Sequence, residues 1–202
     1  MANIRYRTGE GELIPIIVII IINVIIYLGL NIAAFMGNDI RNIIQYLGLW
    51  GSWSGLLERP WTIITYMFTQ ADFWHLLTNM LTLYFFGSFL IRVAGTRNFL
   101  LIYFAGGILG GLFVLALSSP YIPTIGASGA VFALGGALAI VAPKVKVFIF
   151  PIPVPMPLWV AVAIGFLILL PLSFVSWQGH LGGLVFGLLA GLYLRHRLKI
   201  AV

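Results

Sequence analysis

Six separate runs of about 15 to 23 mostly apolar residues dominate this sequence, each near the length a helix needs in a hydrocarbon core ~30 Å thick. The runs are approximately Leu13–Phe35, Trp74–Ile91, Phe99–Leu117, Ser128–Ala142, Pro155–Leu172 and Gly179–Leu194. Mean hydropathy is +1.10 and only 8% of residues are charged. No polar stretch is long enough for a soluble appendage, so the sequence predicts an all-α, polytopic membrane protein, one bundle of six transmembrane helices. The expected division is a cytoplasmic segment over 1–12, a six-span domain over 13–195 and a short cytoplasmic tail over 196–202. Arg5 and Arg7 precede an isoleucine-rich run without a small-residue cleavage site, which reads as a retained first helix rather than a signal peptide. Cysteine is absent, which excludes disulfides, thiolate catalysis and cysteine-ligated metal.

Charge then orients the spans, because Lys and Arg concentrate in cytoplasmic loops and tails. With six spans, Arg5, Arg7, Arg92, Arg97, Lys144, Lys146, Arg195, Arg197 and Lys199 share one side, nine of the eleven basic residues. Arg41 and Arg59 fall on the other side, in the long first loop. Both termini are therefore expected in the cytoplasm. The net charge of +6 reads as a topology signal, and no nucleic-acid partner is expected.

Ionisable and polar groups inside a bilayer are costly and are read as functional by default. Spans two, four and six all run inward from the outer face, so heights can be counted from the cytoplasmic charges. At ~1.5 Å per residue, Ser128 stands sixteen residues, roughly 24 Å, above Lys144, and His180 fifteen residues, roughly 22 Å, above Arg195. His75 and Asn79 precede Arg92 by seventeen and thirteen residues, or roughly 26 and 20 Å, and bracket that level. Span four covers only ~22 Å against a core of ~30 Å, so it is expected to start inside the bilayer. The connection before it, through Ser118, Ser119, Pro120 and Pro123, must then be buried in protein or line a wet cavity. An outward-opening cavity with Ser128 at its floor meets both requirements and admits water to that depth.

Helix faces point the same way. Ser128, Phe132, Gly135, Ala139 and Ala142 form one stripe on span four, small apart from Phe132. On span six, His180 shares a face with Gly183, Gly187 and Gly191, the spacing that lets transmembrane backbones approach closely. Gly126-Ala127-Ser128-Gly129 puts glycine where a tight turn must enter a helix start, whose free N–H groups and dipole can hold an oxyanion. Taken singly, each feature has a plainer reading: helix packing for the glycines, a capped turn for Gly126–Gly129, an interhelical polar clamp for His75 and Asn79. Taken together they suggest Ser128 as nucleophile and His180 as general base and acid, with His75, Asn79 and the Ser128 amide as oxyanion donors. No third, acidic member is expected: Asp39, Glu58 and Asp72 lie in the first loop, and Glu10 and Glu12 at the opposite end. Without a His-Glu-x-x-His pair or an aspartate within a span, zinc and aspartyl chemistries fail, and neither metal nor cofactor is called for.

These residues resemble the rhomboid intramembrane serine proteases from Trp61 to Arg195. The motifs are His75-Leu76-Leu77-Thr78-Asn79, Gly126-Ala127-Ser128-Gly129-Ala130 and Gly179-His180-Leu181-Gly182-Gly183-Leu184-Val185-Phe186-Gly187, in that order on spans two, four and six. The resemblance implies a serine-type endopeptidase with a Ser128–His180 dyad, an oxyanion hole of His75, Asn79 and the Ser128 amide, and packing around it by Gly126, Gly129, Phe132, Gly183 and Gly187. It also implies transmembrane protein substrates cut in or near their helix, and a gate and cap formed by Trp159 to Phe166 and Ser173 to Gln178. The chain departs from the family at three places. Trp61-Thr62 stands where Trp-Arg is frequent, with Arg59 two residues earlier, which puts the anchoring of the first loop in question. Phe132 replaces a frequent tyrosine, and Gln70 a frequent histidine to which no catalytic part is assigned.

The first loop, about Met36 to Phe73, carries Trp50, Trp53 and Trp61 and is expected to lie partly in the outer leaflet. A proteolytically inactive relative that binds membrane helices would be marked by loss of the serine or histidine, and both are present. A small transporter would carry internal repeats and paired broken helices, of which the halves show no convincing sign. The expectation is a multi-pass protein of a prokaryotic cell membrane, in contact with lipid, its site opening to the extracytoplasmic side.

Overall fold

A computed structural model describes residues 13–149, 152–172 and 176–198. The expected cytoplasmic segment 1–12, with Arg5 and Arg7, lies outside the described residues, as do 173–175 of the expected cap and Lys199 of the tail.

Each of the six apolar runs contains a helix. These are α1 (Ile14–Phe35), α5 (Phe73–Ala94), α6 (Thr96–Leu117), α7 (Ser128–Val141), α8 (Leu158–Leu169) and α9 (Trp177–Arg197). Three of them, α1, α5 and α6, each 22 residues, are long and apolar enough to cross a membrane, and α7 and α8 are shorter apolar helices. The first loop adds α2 (Ile40–Leu47), α3 (Trp53–Glu58) and α4 (Thr62–Thr65), then a 3-10 turn over Tyr66–Phe68.

One correction to the all-α expectation lies between α7 and α8. Lys146–Ile149 (β1) and Ile152–Pro157 (β2) pair antiparallel, with Val147 opposite Met156 and Ile149 opposite Ile152. The start expected for the fifth span, Pro155, therefore belongs to a strand. Pro153, Pro155 and Pro157 explain this: proline lacks the N–H that a helix interior needs, whereas in a two-stranded edge pair alternate residues can do without it. Apolarity and helix propensity part company here.

The bundle is arranged around α7. Eleven of its fourteen residues are buried, and it packs against α5, α6, α8 and α9. Peripheral α1 buries a single face of Ile16, Ile19, Asn23 and Leu30, while Ile14, Ile17, Val18, Ile21, Ile25 and Ile32 stay uncovered. Such a surplus of half-exposed isoleucine fits an acyl-chain surround, because in water each side chain would forgo about half of the ~1.5–3 kcal/mol that full burial brings.

Close approach of α7 and α9 has a specific origin. A Cβ on Gly183 would strike the Gly129 carbonyl oxygen, one on Gly187 the Ala133 carbonyl oxygen, and one on Gly191 would come 2.7 Å from the Ala137 carbonyl oxygen. Partners thus advance by four residues on both helices, so α7 and α9 run parallel in fixed register. The α7 face involved is Gly129, Ala133 and Ala137, one position away from the stripe expected from sequence. Gly135 faces Phe86 of α5 and Val162 of α8 instead. A helix buried on all sides has no polar face to mark which stripe meets which neighbour.

The first loop is anchored without the Trp-Arg pair. The Trp61 indole N–H donates to the Tyr46 carbonyl (3.0 Å), and the Arg59 guanidinium to the Gln45 carbonyl (3.0 Å), which also accepts from the Trp50 indole (2.9 Å). Arg59 Cζ lies 5.5 Å from the Trp50 ring centroid, within cation–π range. Arginine placed two residues before the tryptophan thus supplies an anchor. Backbone exchange between Leu49 and Thr124 (2.9 and 2.8 Å) fastens the loop to the irregular connection before α7. Tyr66 completes this attachment, its hydroxyl donating to the Gly107 carbonyl (2.6 Å) and its carbonyl accepting from the Gly126 N–H (2.8 Å).

Candidate active site

The α7–α9 register brings Ser128, the first residue of α7, beside His180, in the first turn of α9. Their side chains are hydrogen-bonded, Oγ to Nε2, at 2.6 Å. The hydroxyl donates if Nε2 is the unprotonated nitrogen, the tautomer in which a neutral histidine can take the serine proton. His180 is buried and Ser128 half-buried, so the nucleophile is the more accessible of the two. Among the described residues the other ring nitrogen, Nδ1, is buried with no hydrogen-bond partner. No carboxylate orients the ring there, and packing does so instead: the Phe132 ring, one turn along α7 from Ser128, lies 4.7 Å from the imidazole centroid at an interplanar angle of 36°. Phe132 in turn meets Phe166 of α8 edge-on, at 5.8 Å.

Gly126 shapes the approach to Ser128. Its φ of +126° belongs to the region that favours glycine, and a Cβ there would lie 2.9 Å from His75 Nε2 and 3.6 Å from Ser128 Oγ. His75 and Ser128 therefore border one small space that only glycine leaves open. The Ala71 N–H donates to His75 Nδ1 (3.2 Å), so in the neutral ring the proton sits on Nε2, the nitrogen facing Gly126. Asp72 accepts from the His75 backbone N–H (2.9 Å) as the N-cap of α5. Its carboxylate is thereby occupied at the helix end rather than at His180.

Asn79, one turn after His75 on α5, is buried, and its amide donates to Gln70 Oε1 (2.9 Å). Gln70 Nε2 donates to Asn23 Oδ1 (2.8 Å), and Asn23 Nδ2 to the Ile19 carbonyl within α1 (2.9 Å). Sequence reasoning noted Gln70 only as a departure with no catalytic part and passed over Asn23. A signal for Asn23 was available, since it is a polar residue in the middle of an apolar run, the criterion that singled out Ser128 and His180. Nothing in the linear sequence links Asn23 to Gln70, which lies 47 residues away.

Gly129, Gly183 and Gly187 sit at the α7–α9 contact already described. Of the expected gate, Trp159 to Phe166, only Ala161 and Val162 are buried, and Trp159 is exposed. In the expected cap, Ser176 Oγ and Thr124 Oγ1 are 3.3 Å apart, and the Gln178 amide donates to the Leu117 carbonyl (3.3 Å).

Residues 57–197 match the model of the Rhomboid domain, well over half of the chain. The chain is 33% identical over 129 residues to "Rhomboid protein 1, mitochondrial" of Saccharomyces cerevisiae, covering 59% of this chain and 36% of that protein. It is 36% identical over 133 residues to "Rhomboid protease GluP" of Bacillus subtilis, covering 64% of this chain and 25% of that protein. It is also 35% identical over 89 residues to "Inactive RHOMBOID-like protein 8" of Arabidopsis thaliana, covering 43% and 25%. The chain thus spans between a quarter and somewhat over a third of the length of these curated relatives. The matched region contains α5 to α9 and every residue of the Ser128–His180 site, and the chain belongs to the rhomboid family.

Proposed function

We propose that this chain is an intramembrane serine endopeptidase that hydrolyses peptide bonds in or near the transmembrane segment of membrane-protein substrates. The observation that carries the reading is the 2.6 Å hydrogen bond between Ser128 and His180 at the start of two helices, next to the His75–Gly126 contact. In the proposed cycle His180 Nε2 takes the Ser128 proton as Oγ attacks the substrate carbonyl. The oxyanion is met by His75 Nε2–H, the Asn79 amide and the Ser128 backbone N–H. His180 then protonates the leaving amine, and the acyl-enzyme is released by a water that His180 deprotonates. A dyad suffices because Phe132 and burial hold the imidazole in place, although no partner among the described residues meets Nδ1 to stabilise the imidazolium.

In this reading α7, α8 and α9 join α1, α5 and α6 as spans, six in all, with both ends cytoplasmic and Ser128 opening outward in a cell membrane. Exposed Trp53, Leu57 and Tyr46 on the first loop suit the outer leaflet. Substrate reaches the site past α8, whose exposed face and single aromatic tie to Phe132 suit a movable gate. An inactive, helix-binding role has one observation in its favour, the relative whose name calls it inactive. Against it stand the retained serine and histidine, already hydrogen-bonded.

Reconstituted protein is expected to cut a single-span substrate with Gly or Pro in its helix. Ser128→Ala and His180→Ala each abolish the product, and Asn79→Ala slows it by about 10²- to 10³-fold. Undiminished cleavage by Ser128→Ala refutes the mechanism, and a reconstituted wild type that cuts none of a panel of such substrates favours the inactive role.

A further inference from the structure

We propose that Gln70 is a positioning residue for the oxyanion-hole amide of Asn79, which it orients through a chain of buried amides beginning at a backbone carbonyl on α1. The inference rests on the reading of Asn79 as an oxyanion donor.

Asn23, Gln70 and Asn79 are 0%, 1% and 6% exposed, so each amide must find its partners inside the protein. The chain has a direction. The Ile19 carbonyl can only accept, so the group Asn23 turns toward it is its NH₂, at 2.9 Å. Asn23 Oδ1 is then what meets Gln70, which must offer its own NH₂ (2.8 Å) and so turns its carbonyl oxygen to Asn79. Asn79 is left to donate (2.9 Å). Reversing any one amide would set two donors or two acceptors against each other, so the orientation set on α1 passes to α5 without ambiguity.

Asn79 needs such a constraint. The terminal torsion of asparagine is broad, whereas a donor to a developing oxyanion acts only if its direction is set in advance. Nδ2 carries two hydrogens; Gln70 takes one, which fixes the plane of the amide and leaves the other for the oxyanion. The neighbouring residue serves the second side-chain donor, because the Ala71 N–H holds His75 Nδ1 at 3.2 Å. Gln70 and Ala71, just ahead of the α5 N-cap, thus orient both side chains of the hole, one through a side chain and one through the backbone.

The test compares wild type, Gln70→Met, Asn79→Ala and the double variant in detergent, with kcat and KM for a single-span substrate and with melting temperature in its absence. Methionine keeps the length of glutamine and removes both hydrogen bonds. Expected is a fall of about tenfold in kcat for Gln70→Met with KM within about twofold, and no further fall when Asn79 is already alanine. Gln70→His, whose neutral ring offers one donor and one acceptor as the amide does, is expected within about threefold of wild type. If Gln70→Met does not fold, Asn23→Leu takes its place in the same cycle. The proposal is overturned by wild-type kcat in Gln70→Met, by an equal loss in the Asn79→Ala background, or by Gln70→His as slow as Gln70→Met. A wild type that cleaves nothing counts against the protease reading, and the melting temperatures then judge the relay: non-additive losses for the two single variants support it, and additive losses overturn it.

Discussion

Replacing Gly183 by alanine inserts one methyl group into the α7–α9 contact, three residues from His180. The new Cβ would strike the Gly129 carbonyl oxygen and lie 2.7 Å from the Gly129 carbonyl carbon. Carbon atoms pack at about 3.5–4.0 Å, so α9 and Gly129 must part by about 1 Å. Gly129 is the peptide neighbour of Ser128, and the same displacement would stretch the 2.6 Å bond between Ser128 and His180 to roughly 3.6 Å, past hydrogen-bonding range. Overpacking of this kind costs about 1–3 kcal/mol of stability. Misplacing reacting groups by about 1 Å costs about 10²-fold in rate. Gly191→Ala is the distant control: its Cβ would come 2.7 Å from the Ala137 carbonyl oxygen, a milder clash on the same face, two turns and roughly 12 Å farther along α9. Cleavage of a fluorogenic single-span substrate in detergent, with thermal unfolding of the same samples, separates the two effects. Both variants are expected to lose stability, Gly183→Ala the more, and only Gly183→Ala to lose about 10²-fold in kcat/KM. The reasoning is refuted if Gly183→Ala folds and stays within about threefold of wild type, or if Gly191→Ala loses as much activity.

Asp72→Ala is expected to cost about 1 kcal/mol as a lost N-cap while kcat stays within about threefold, and a loss of 10²-fold or more would mean that the carboxylate does belong to the chemistry. Arg59→Ala, which removes a charged hydrogen bond and a cation–π contact, should lower stability by about 1–3 kcal/mol in thermal unfolding; no change would show that the other contacts hold the first loop without it. Phe132→Tyr keeps the ring against His180 and should cleave within about threefold of wild type. Phe132→Ala should lose about tenfold in kcat, and equal activity in the two would leave the imidazole's orientation to some other contact.

Much of the site can be read from the chain alone, for a reason that belongs to membranes. A hydrocarbon surround fixes the length of each crossing segment and drives basic residues to one side, so residue counts become heights. Ser128, His180, His75 and Asn79 stand out because each is a costly polar group at one such height. The strand pair 146–149 and 152–157 went unread because apolarity marks what lipid tolerates, whereas the absence of N–H groups at Pro153, Pro155 and Pro157 governs what the backbone can form. Arg59 looked displaced because a motif records order along the chain. A guanidinium reaching the Gln45 carbonyl from two residues away satisfies the same need.

By itself, then, the sequence determined where the apolar helices lie, which polar residues share a level, and that a serine and a histidine head two helices lined with small residues. Tertiary structure decided which face of α7 meets α9, since a helix buried all round carries no amphipathic mark of its neighbours. It also decided that Asn23, Gln70 and Asn79 form one directed chain. Hydrogen bonds join groups by proximity and donor–acceptor polarity, and across the 47 residues from Asn23 to Gln70 only folding supplies the proximity.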